Sequence, residues 1–84
     1  MGKKSLLIHV KWGDSSVPFK QCNRIKNDID KIEGVTESFF TKNSDVSDIA
    51  ALAEWESYEI DDKISEISRI SNVKSVKYHI LVPA

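Results

Sequence analysis

The chain is poor in several features that commonly stabilise or anchor a small protein. Its single cysteine, Cys22, excludes an intramolecular disulfide and fits a reducing compartment. No apolar run approaches the roughly 18 residues that a membrane-spanning helix needs. The apolar stretch near the amino terminus is too short for a signal peptide, and no small-residue cleavage site follows it. The sequence therefore predicts a soluble cytoplasmic protein.

An excess of charge of either sign is also missing. Lys and Arg together number 12 and Asp and Glu 13, which gives a formal net charge of -1. Surfaces that bind nucleic acid concentrate Lys and Arg on one face, so this balance argues against direct binding to nucleic acid. We expect one domain over residues 1–84, which buries only about 60–65% of its extended-chain surface. A second copy of the chain would be a natural source of further burial.

What the sequence does have is an internal repeat. The segment "IDKIEGV" (Ile29–Val35) returns as "ISRISNV" (Ile67–Val73). Each copy has isoleucines at helical spacing, then Gly34 or Asn72, the two residue types that most often end a helix in a left-handed conformation. A β-branched residue follows in both. The repeat predicts two equivalent units in which a helix turns into a strand.

The periodicity of apolar residues gives the remaining elements. Alternation of apolar and polar residues predicts strands at Ser5–Trp12, Val35–Lys42, Asp48–Ser57 and from Lys74 to Pro83. Isoleucines at three- and four-residue steps predict helices from Phe19 to Gly34 and over Glu59–Ser71. The third strand is rich in alanine, so a helix is the rival interpretation and would make a three-helix protein. We favour a strand, because a hairpin after Lys42 requires one.

This order, βαββαβ, is the split βαβ or ferredoxin-like architecture of the α+β class. Two helices then cover one face of a four-stranded antiparallel sheet and leave the other face open. The predicted open face contains Leu7, His9, Leu52, His79 and Leu81. Such a face is too apolar to be only a solvated surface, so we expect sheet-to-sheet packing in a two-fold homodimer. The orientation of the second strand stays open, since either Glu37 and Phe39 or Ser38 and Phe40 face inward and a bulge could exchange them.

The open face also carries both histidines of the chain. His9 and His79 lie on neighbouring strands, where two imidazoles could bind a metal or act in acid–base chemistry. No third ligand has suitable spacing, so we predict polar interface residues, no metal site and no catalytic residue.

The turn "NSDVSD" has the best concentration of groups able to bind a small zwitterion. Its side chains are predicted as ligand-binding residues: Ser44, Asp45, Ser47 and Asp48. The alternative is an ordinary polar hairpin with no ligand.

Three segments together resemble a known family: "KIEGV" (Lys31–Val35), "SDI" (Ser47–Ile49) and "ISRISNVKSV" (Ile67–Val76). The chain is similar to the effector-binding (RAM) domain of the Lrp/AsnC transcription regulators over nearly its whole length. The resemblance implies a dimeric α/β barrel, assembly of dimers into rings, and amino-acid binding near the hairpin between the second and third strands. Asp48 matches the acidic residue that ends the family hairpin, whereas Asp45 stands in place of its glycine and Ser47 in place of its aromatic residue.

No helix-turn-helix precedes the first strand, so the resemblance implies a stand-alone form. We predict a metabolite-sensing and oligomerisation domain, homodimeric or larger, that needs no cofactor and is not an enzyme. Its expected partners are an amino-acid effector and DNA-binding regulators. Two alternatives remain: a small dimeric α/β-barrel enzyme, oxygenase- or isomerase-like, that uses His9 and His79, or a dimerisation module without a ligand.

Overall fold

The computed structural model describes residues 2–12, 19–41 and 48–82. Its elements are β1 (Lys4–Lys11), α1 (Phe19–Asp30), β2 (Val35–Phe40), β3 (Asp48–Trp55), a short 3-10 turn (Ser57–Glu59), α2 (Ile60–Ser68) and β4 (Ser75–Leu81). The strands form one antiparallel sheet in the order β2-β3-β1-β4. The predicted α+β, ferredoxin-like βαββαβ arrangement is confirmed.

The alanine-rich segment is a strand, so the three-helix alternative is wrong. β3 pairs with β1 along its whole length and with β2 on its other side. It is the most buried strand, and only Leu52 and Glu54 retain more than slight exposure. Alanine's helix propensity is worth only a few tenths of a kcal/mol per residue over most alternatives, so tertiary pairing overrides it.

The core lies between the sheet and the two helices. Its fully buried large side chains are Leu6, Ile8, Val10, Trp12, Ile25, Ile29, Ile49, Trp55 and Ile67. The strand members alternate along β1 and β3 as predicted, and the helix members are the predicted isoleucine stripes. Each such side chain contributes on the order of 1.5–3 kcal/mol through burial. Cys22 is also buried in this core, as expected for a small apolar thiol.

The two copies of the repeat form matching turns. Gly34 has φ +94° and Asn72 has φ +75°, both in the left-handed region. In the first turn the Val35 amide donates to the Ile32 carbonyl at 3.1 Å. In the second turn the Val73 amide donates to the Ile70 carbonyl at the same distance. The repeat therefore encodes one turn used twice, at the same point between a helix and the following strand.

The two turns differ in what surrounds them. The indole nitrogen of Trp55 donates to the carbonyl of Glu33 at 2.7 Å, so this side chain lies across the first turn. A Cβ at Gly34 would collide with the Trp55 ring and come within 2.8 Å of the Glu54 carbonyl oxygen. Asn72 is exposed. Only glycine therefore fits the first turn, while the second tolerates a side chain.

A bulge in β2 determines which of its side chains face the helices, a point that the sequence left open. The register shifts between Val35 and Glu37, so two residues of β2 lie opposite one position of β3. Beyond the bulge, Ser38 pairs with Ala51 on the helix-covered side, and Phe39 pairs with Ala50 on the other side. Ser38 donates a hydrogen bond to Asp30 at the end of α1, which ties this strand to the helix layer.

Several predicted elements are longer than the observed ones. α1 ends at Asp30 and α2 at Ser68, because the residues before each left-handed position already belong to the turn. The predicted start of α2 is a 3-10 turn, in which the Glu56 amide donates to the Glu59 carboxylate at 3.1 Å.

The helix layer also stops short of the outer strand. The register places Tyr78 and Ile80 of β4 opposite Ile8 and Leu6, on the helix-covered side, yet they are 38% and 47% exposed. α2 has nine residues, or about 14 Å of helix. The seven residues of β4 span about 23 Å. The helix is therefore too short to shelter all of the strand.

Candidate functional site on the open sheet face

No helix of the described residues lies over one face of the sheet, and we call this face the open face. Because side chains alternate along a strand, the register assigns its members. They are Ser5, Leu7, His9 and Lys11 of β1, Glu37 and Phe39 of β2, Asp48, Ala50, Leu52 and Glu54 of β3, and Ser75, Lys77, His79 and Leu81 of β4. All five residues predicted for the dimer face lie on it, and their role in a dimer stays a prediction.

The middle of the open face is apolar. Leu7 and Leu52 are directly opposite each other on the two central strands, and neither is fully buried. Phe39 and Leu81 lie toward the two edges and are 41% and 44% exposed. A contiguous apolar patch of this kind on a small protein is typical of an interaction site.

The two histidines are neighbours on this face without being opposite each other. In the register His9 pairs with Lys77, and His79 pairs with Leu7. They are therefore diagonal, with Cα atoms roughly 7–8 Å apart in a typical antiparallel pair. Over residues 2–12, 19–41 and 48–82, no group of three or more His, Cys, Asp or Glu side chains is placed to hold a metal ion.

Asp48 lies on the open face and yet its carboxylate is buried. It is the first residue of β3 and is only 5% exposed. Its backbone carbonyl accepts a hydrogen bond from the Thr41 amide at 3.0 Å, while its Oδ1 atom is buried and accepts none from the described part of the chain. An unsatisfied buried polar atom costs roughly 1–3 kcal/mol. Such a carboxylate is suited to a ligand that brings its own donor.

A basic residue is the backbone partner of Asp48 on the neighbouring strand. In the register Lys11 is directly opposite Asp48, on the same face of the sheet. Asp48 is thus at the end of the open face, where β2 and β3 are joined. The other predicted ligand-binding residues, Ser44, Asp45 and Ser47, lie outside the described residues, so their placement is not tested.

The helix side of the molecule has a cleft that the sequence did not predict. A cleft of about 300 Å³ lies between α1 and the turn after α2. Its lining is Gln21, Arg24, Ile25, Asp28, Ser71 and Asn72. These two stretches are distant in the sequence and share no motif, so only the fold brings them together. None of the five polar side chains is buried.

The sequence matches no model of a known protein family and no curated protein. Solved structures do match. The protein TTHA0845 of Thermus thermophilus superposes with a TM-score of 0.77 at 14% identity, over 96% of this chain and 95% of that one. Escherichia coli AsnC gives 0.73 at 16% identity, over 96% of this chain and 52% of AsnC.

A feast or famine regulatory protein from M. tuberculosis, solved in complex with L-methionine, gives a TM-score of 0.71 at 16% identity. The match covers 96% of this chain and 51% of that one. This chain therefore spans about half the length of the two regulators. This chain shares the fold of these three structures, so the predicted resemblance to Lrp/AsnC regulators is confirmed at the level of the fold. In the described residues, no helix is long and apolar enough to cross a membrane.

Proposed function

We propose that the chain is an amino-acid-sensing and oligomerisation domain that works as a homodimer or larger assembly. It carries out no chemistry of its own. A bound metabolite changes the relative stability of its assembly states, and those states differ in their contacts with partner regulators that bind DNA. A ligand can shift such an equilibrium only by its difference in affinity for the states.

The buried carboxylate of Asp48 is the observation that carries the proposal. Its Oδ1 atom is buried, unpaired within the described residues and located at the end of the open face. The ammonium group of an amino acid supplies three donors and a positive charge, which together satisfy such an oxygen. The regulator solved with L-methionine, which has the same fold, supports an amino acid as the class of ligand.

The remaining polar residues of the hairpin complete the proposed site. The hydroxyl groups of Ser44 and Ser47 would donate to the carboxylate of the ligand, and Asp45 would help to select its side chain. With Ser47 where an aromatic residue is usual, the ligand's side chain has no ring to pack against. We therefore expect a small or polar amino acid to bind better than an aromatic one.

Thermal unfolding with each of the common amino acids tests this proposal. A ligand at a concentration 100-fold above its Kd stabilises the folded chain by about 2.7 kcal/mol. We expect at least one small or polar amino acid to raise the Tm in proportion to the logarithm of its concentration. If none of them changes the Tm, the chain is a dimerisation module without a ligand.

The variant Asp48→Asn shows whether the shift comes from the proposed site. It keeps the size of the side chain and removes the charge, so the ligand-induced shift should disappear. Asp62→Asn is the matched control, because Asp62 is an exposed carboxylate in the first turn of α2. It should leave the shift unchanged. A shift that survives in Asp48→Asn would place the ligand elsewhere, for example in the cleft beside α1.

A further inference from the structure

The cleft between α1 and the turn after α2 carries one charge of each sign. Its volume is about 300 Å³, and Arg24 and Asp28 both line it from α1. Arg24 is exposed and Asp28 is half-buried, whereas Ile25, the apolar residue of the lining, is 2% exposed and belongs to the core. The cleft therefore offers a ligand an apolar contact together with a cation and an anion.

The two charges of the cleft do not pair with each other. Within the described residues Arg24 and Asp28 form no ion pair, although Lys26 and Asp30, at the same spacing on the same helix, pair at 3.2 Å. Even where such pairs form on a helix surface they contribute little, so a ligand loses little by engaging both groups. Both side chains are therefore available to a ligand with two charges.

The spacing of the two charges indicates the length of the ligand. Four residues of α-helix rise about 6 Å, so Arg24 and Asp28 are attached to α1 about that far apart. The amino nitrogen and carboxyl carbon of a single α-amino acid are only about 2.5 Å apart. One more residue adds about 3.3–3.6 Å, which places the charged ends of an extended dipeptide about 6 Å apart. A dipeptide matches the separation, whereas a single amino acid is too short.

The other polar residues of the cleft suit the peptide bond of such a ligand. Gln21, Ser71 and Asn72 bring two amides and a hydroxyl, groups that both donate and accept hydrogen bonds. A peptide bond needs one acceptor for its N–H and one donor for its C=O. None of the three side chains has a hydrogen-bond partner within the described residues, so all three can serve the ligand.

The size of the cleft limits the side chains of the ligand. Its 300 Å³ equals the space of about ten water molecules, and small dipeptides have about that number of non-hydrogen atoms. We propose that the cleft is a second binding site, separate from the open face, and that its ligand is a free dipeptide with small side chains. The carboxylate of the dipeptide pairs with Arg24, and its ammonium group pairs with Asp28. This site depends neither on Asp48 nor on a homodimer.

Titration of the ¹⁵N-labelled chain with the dipeptide Ala-Ala, followed by NMR, tests the site directly. Side-chain amides give their own signals, so Gln21 and Asn72 report contact with the ligand. We expect both to shift with a Kd on the order of 1 mM, since a ligand of this size in a cleft open to water binds weakly. Alanine itself should bind about tenfold more weakly or worse, because it reaches only one of the two charges. Equal affinity for alanine, or no shift with Ala-Ala, would contradict the proposal.

Blocked dipeptides separate the two charged contacts without any change to the protein. N-acetyl-Ala-Ala lacks the ammonium group, and Ala-Ala amide lacks the carboxylate. Each should bind about tenfold more weakly than Ala-Ala. If N-acetyl-Ala-Ala bound as tightly as Ala-Ala, the cleft would accept the carboxyl end of a longer chain and the assignment to a free dipeptide would be wrong.

Exchange of the two charges gives a test from the side of the protein. Arg24→Asp leaves two acids in the cleft and Asp28→Arg leaves two bases, so each alone should weaken binding of Ala-Ala about tenfold or more. The double variant Arg24→Asp/Asp28→Arg again has one charge of each sign at the same spacing. It should bind Ala-Ala in the reverse direction, with an affinity close to that of the unaltered chain. A double variant as weak as the single ones would show that the proposed pairing is wrong.

Two further variants serve as controls. Glu66→Lys reverses an exposed charge on α2 outside the cleft and should leave the Kd for Ala-Ala unchanged. Asp48→Asn removes the proposed amino-acid site and keeps the cleft, so binding of Ala-Ala should persist. If Asp48→Asn abolished it, the dipeptide would bind at the open face and the second site would not exist. Circular dichroism checks that each variant is folded, and the blocked dipeptides decide the question if one is not.

Discussion

Both faces of the sheet carry apolar side chains at their centre, but these differ in how far they are buried. On the helix-covered face, Ile8 and Ala51 are completely buried within one chain. On the open face, Leu7 and Leu52 are paired just as directly yet are only half-buried. The centre of the first face is covered within one chain, whereas the centre of the second has apolar groups still in contact with water. The comparison supports the proposal that one face stabilises the fold and the other is used for association.

The largest effect should come from truncating a side chain on the helix-covered face. Ile67 has no exposed surface, so Ile67→Ala should lower the free energy of unfolding by about 2–5 kcal/mol. Leu52→Ala on the open face is the matched change and should cost the monomer well under half as much, while weakening the dimer. Urea unfolding at low and high protein concentration measures both. Equal losses at low concentration would contradict the assignment of separate roles.

The tight contact behind the first turn gives the next effect. Gly34→Ala forces a methyl group against the Trp55 ring and keeps a side chain at positive φ, so we expect a loss of about 2–4 kcal/mol. Asn72→Ala changes the matching turn, where only the backbone preference opposes the change, and should cost about 1 kcal/mol. Thermal and urea unfolding of both variants provide the comparison. If Asn72→Ala proved the more damaging, the account of the two turns would be wrong.

A smaller effect of opposite sign is expected at the end of the open face. Asp48→Asn removes a buried charge that has an unpaired oxygen, so the unliganded protein should become more stable by about 1–2 kcal/mol. The same change should remove stabilisation by an amino acid. A decrease in unliganded stability would mean that Asp48 is already satisfied in the folded chain, and would weaken its assignment to a ligand.

The smallest effect should come from His9 on the open face. Its side chain is only partly buried, so His9→Ala should change the free energy of unfolding by no more than about 0.5 kcal/mol. Binding of an amino acid should persist, as measured by the thermal shift. Loss of binding in this variant would move the site from the hairpin end of the face toward its histidines.

The sequence predicted the features that arise from regular spacing. Isoleucines three and four residues apart place Ile25 and Ile29 on one side of a helix whatever lies beyond them, and alternation does the same for Leu6 and Ile8 in β1. The repeat predicted both left-handed turns, because Gly34 and Asn72 are the residue types that adopt that backbone most readily.

Features that depend on contacts between distant segments could not be predicted. The bulge at Thr36 leaves no mark in the sequence, so the sides taken by Glu37 and Phe39 became clear only from the register. The contact of Trp55 with the turn at Gly34 and the exposure of Ile80 beyond the end of α2 also depend on how segments pack. For the candidate site, the polar composition of the turn and the family resemblance suggested Asp48, whereas its burial and unpaired oxygen needed the structure.

Sedimentation velocity of the unaltered chain over a wide range of concentration tests the central claim most directly. Because the middle of the open face is apolar and only partly buried in one copy, we expect a species of twice the 9.5 kDa chain mass, or a multiple of that. Leu52→Lys should convert it to a folded monomer. A particle of 9.5 kDa at all concentrations would contradict the claim that a second copy covers this face.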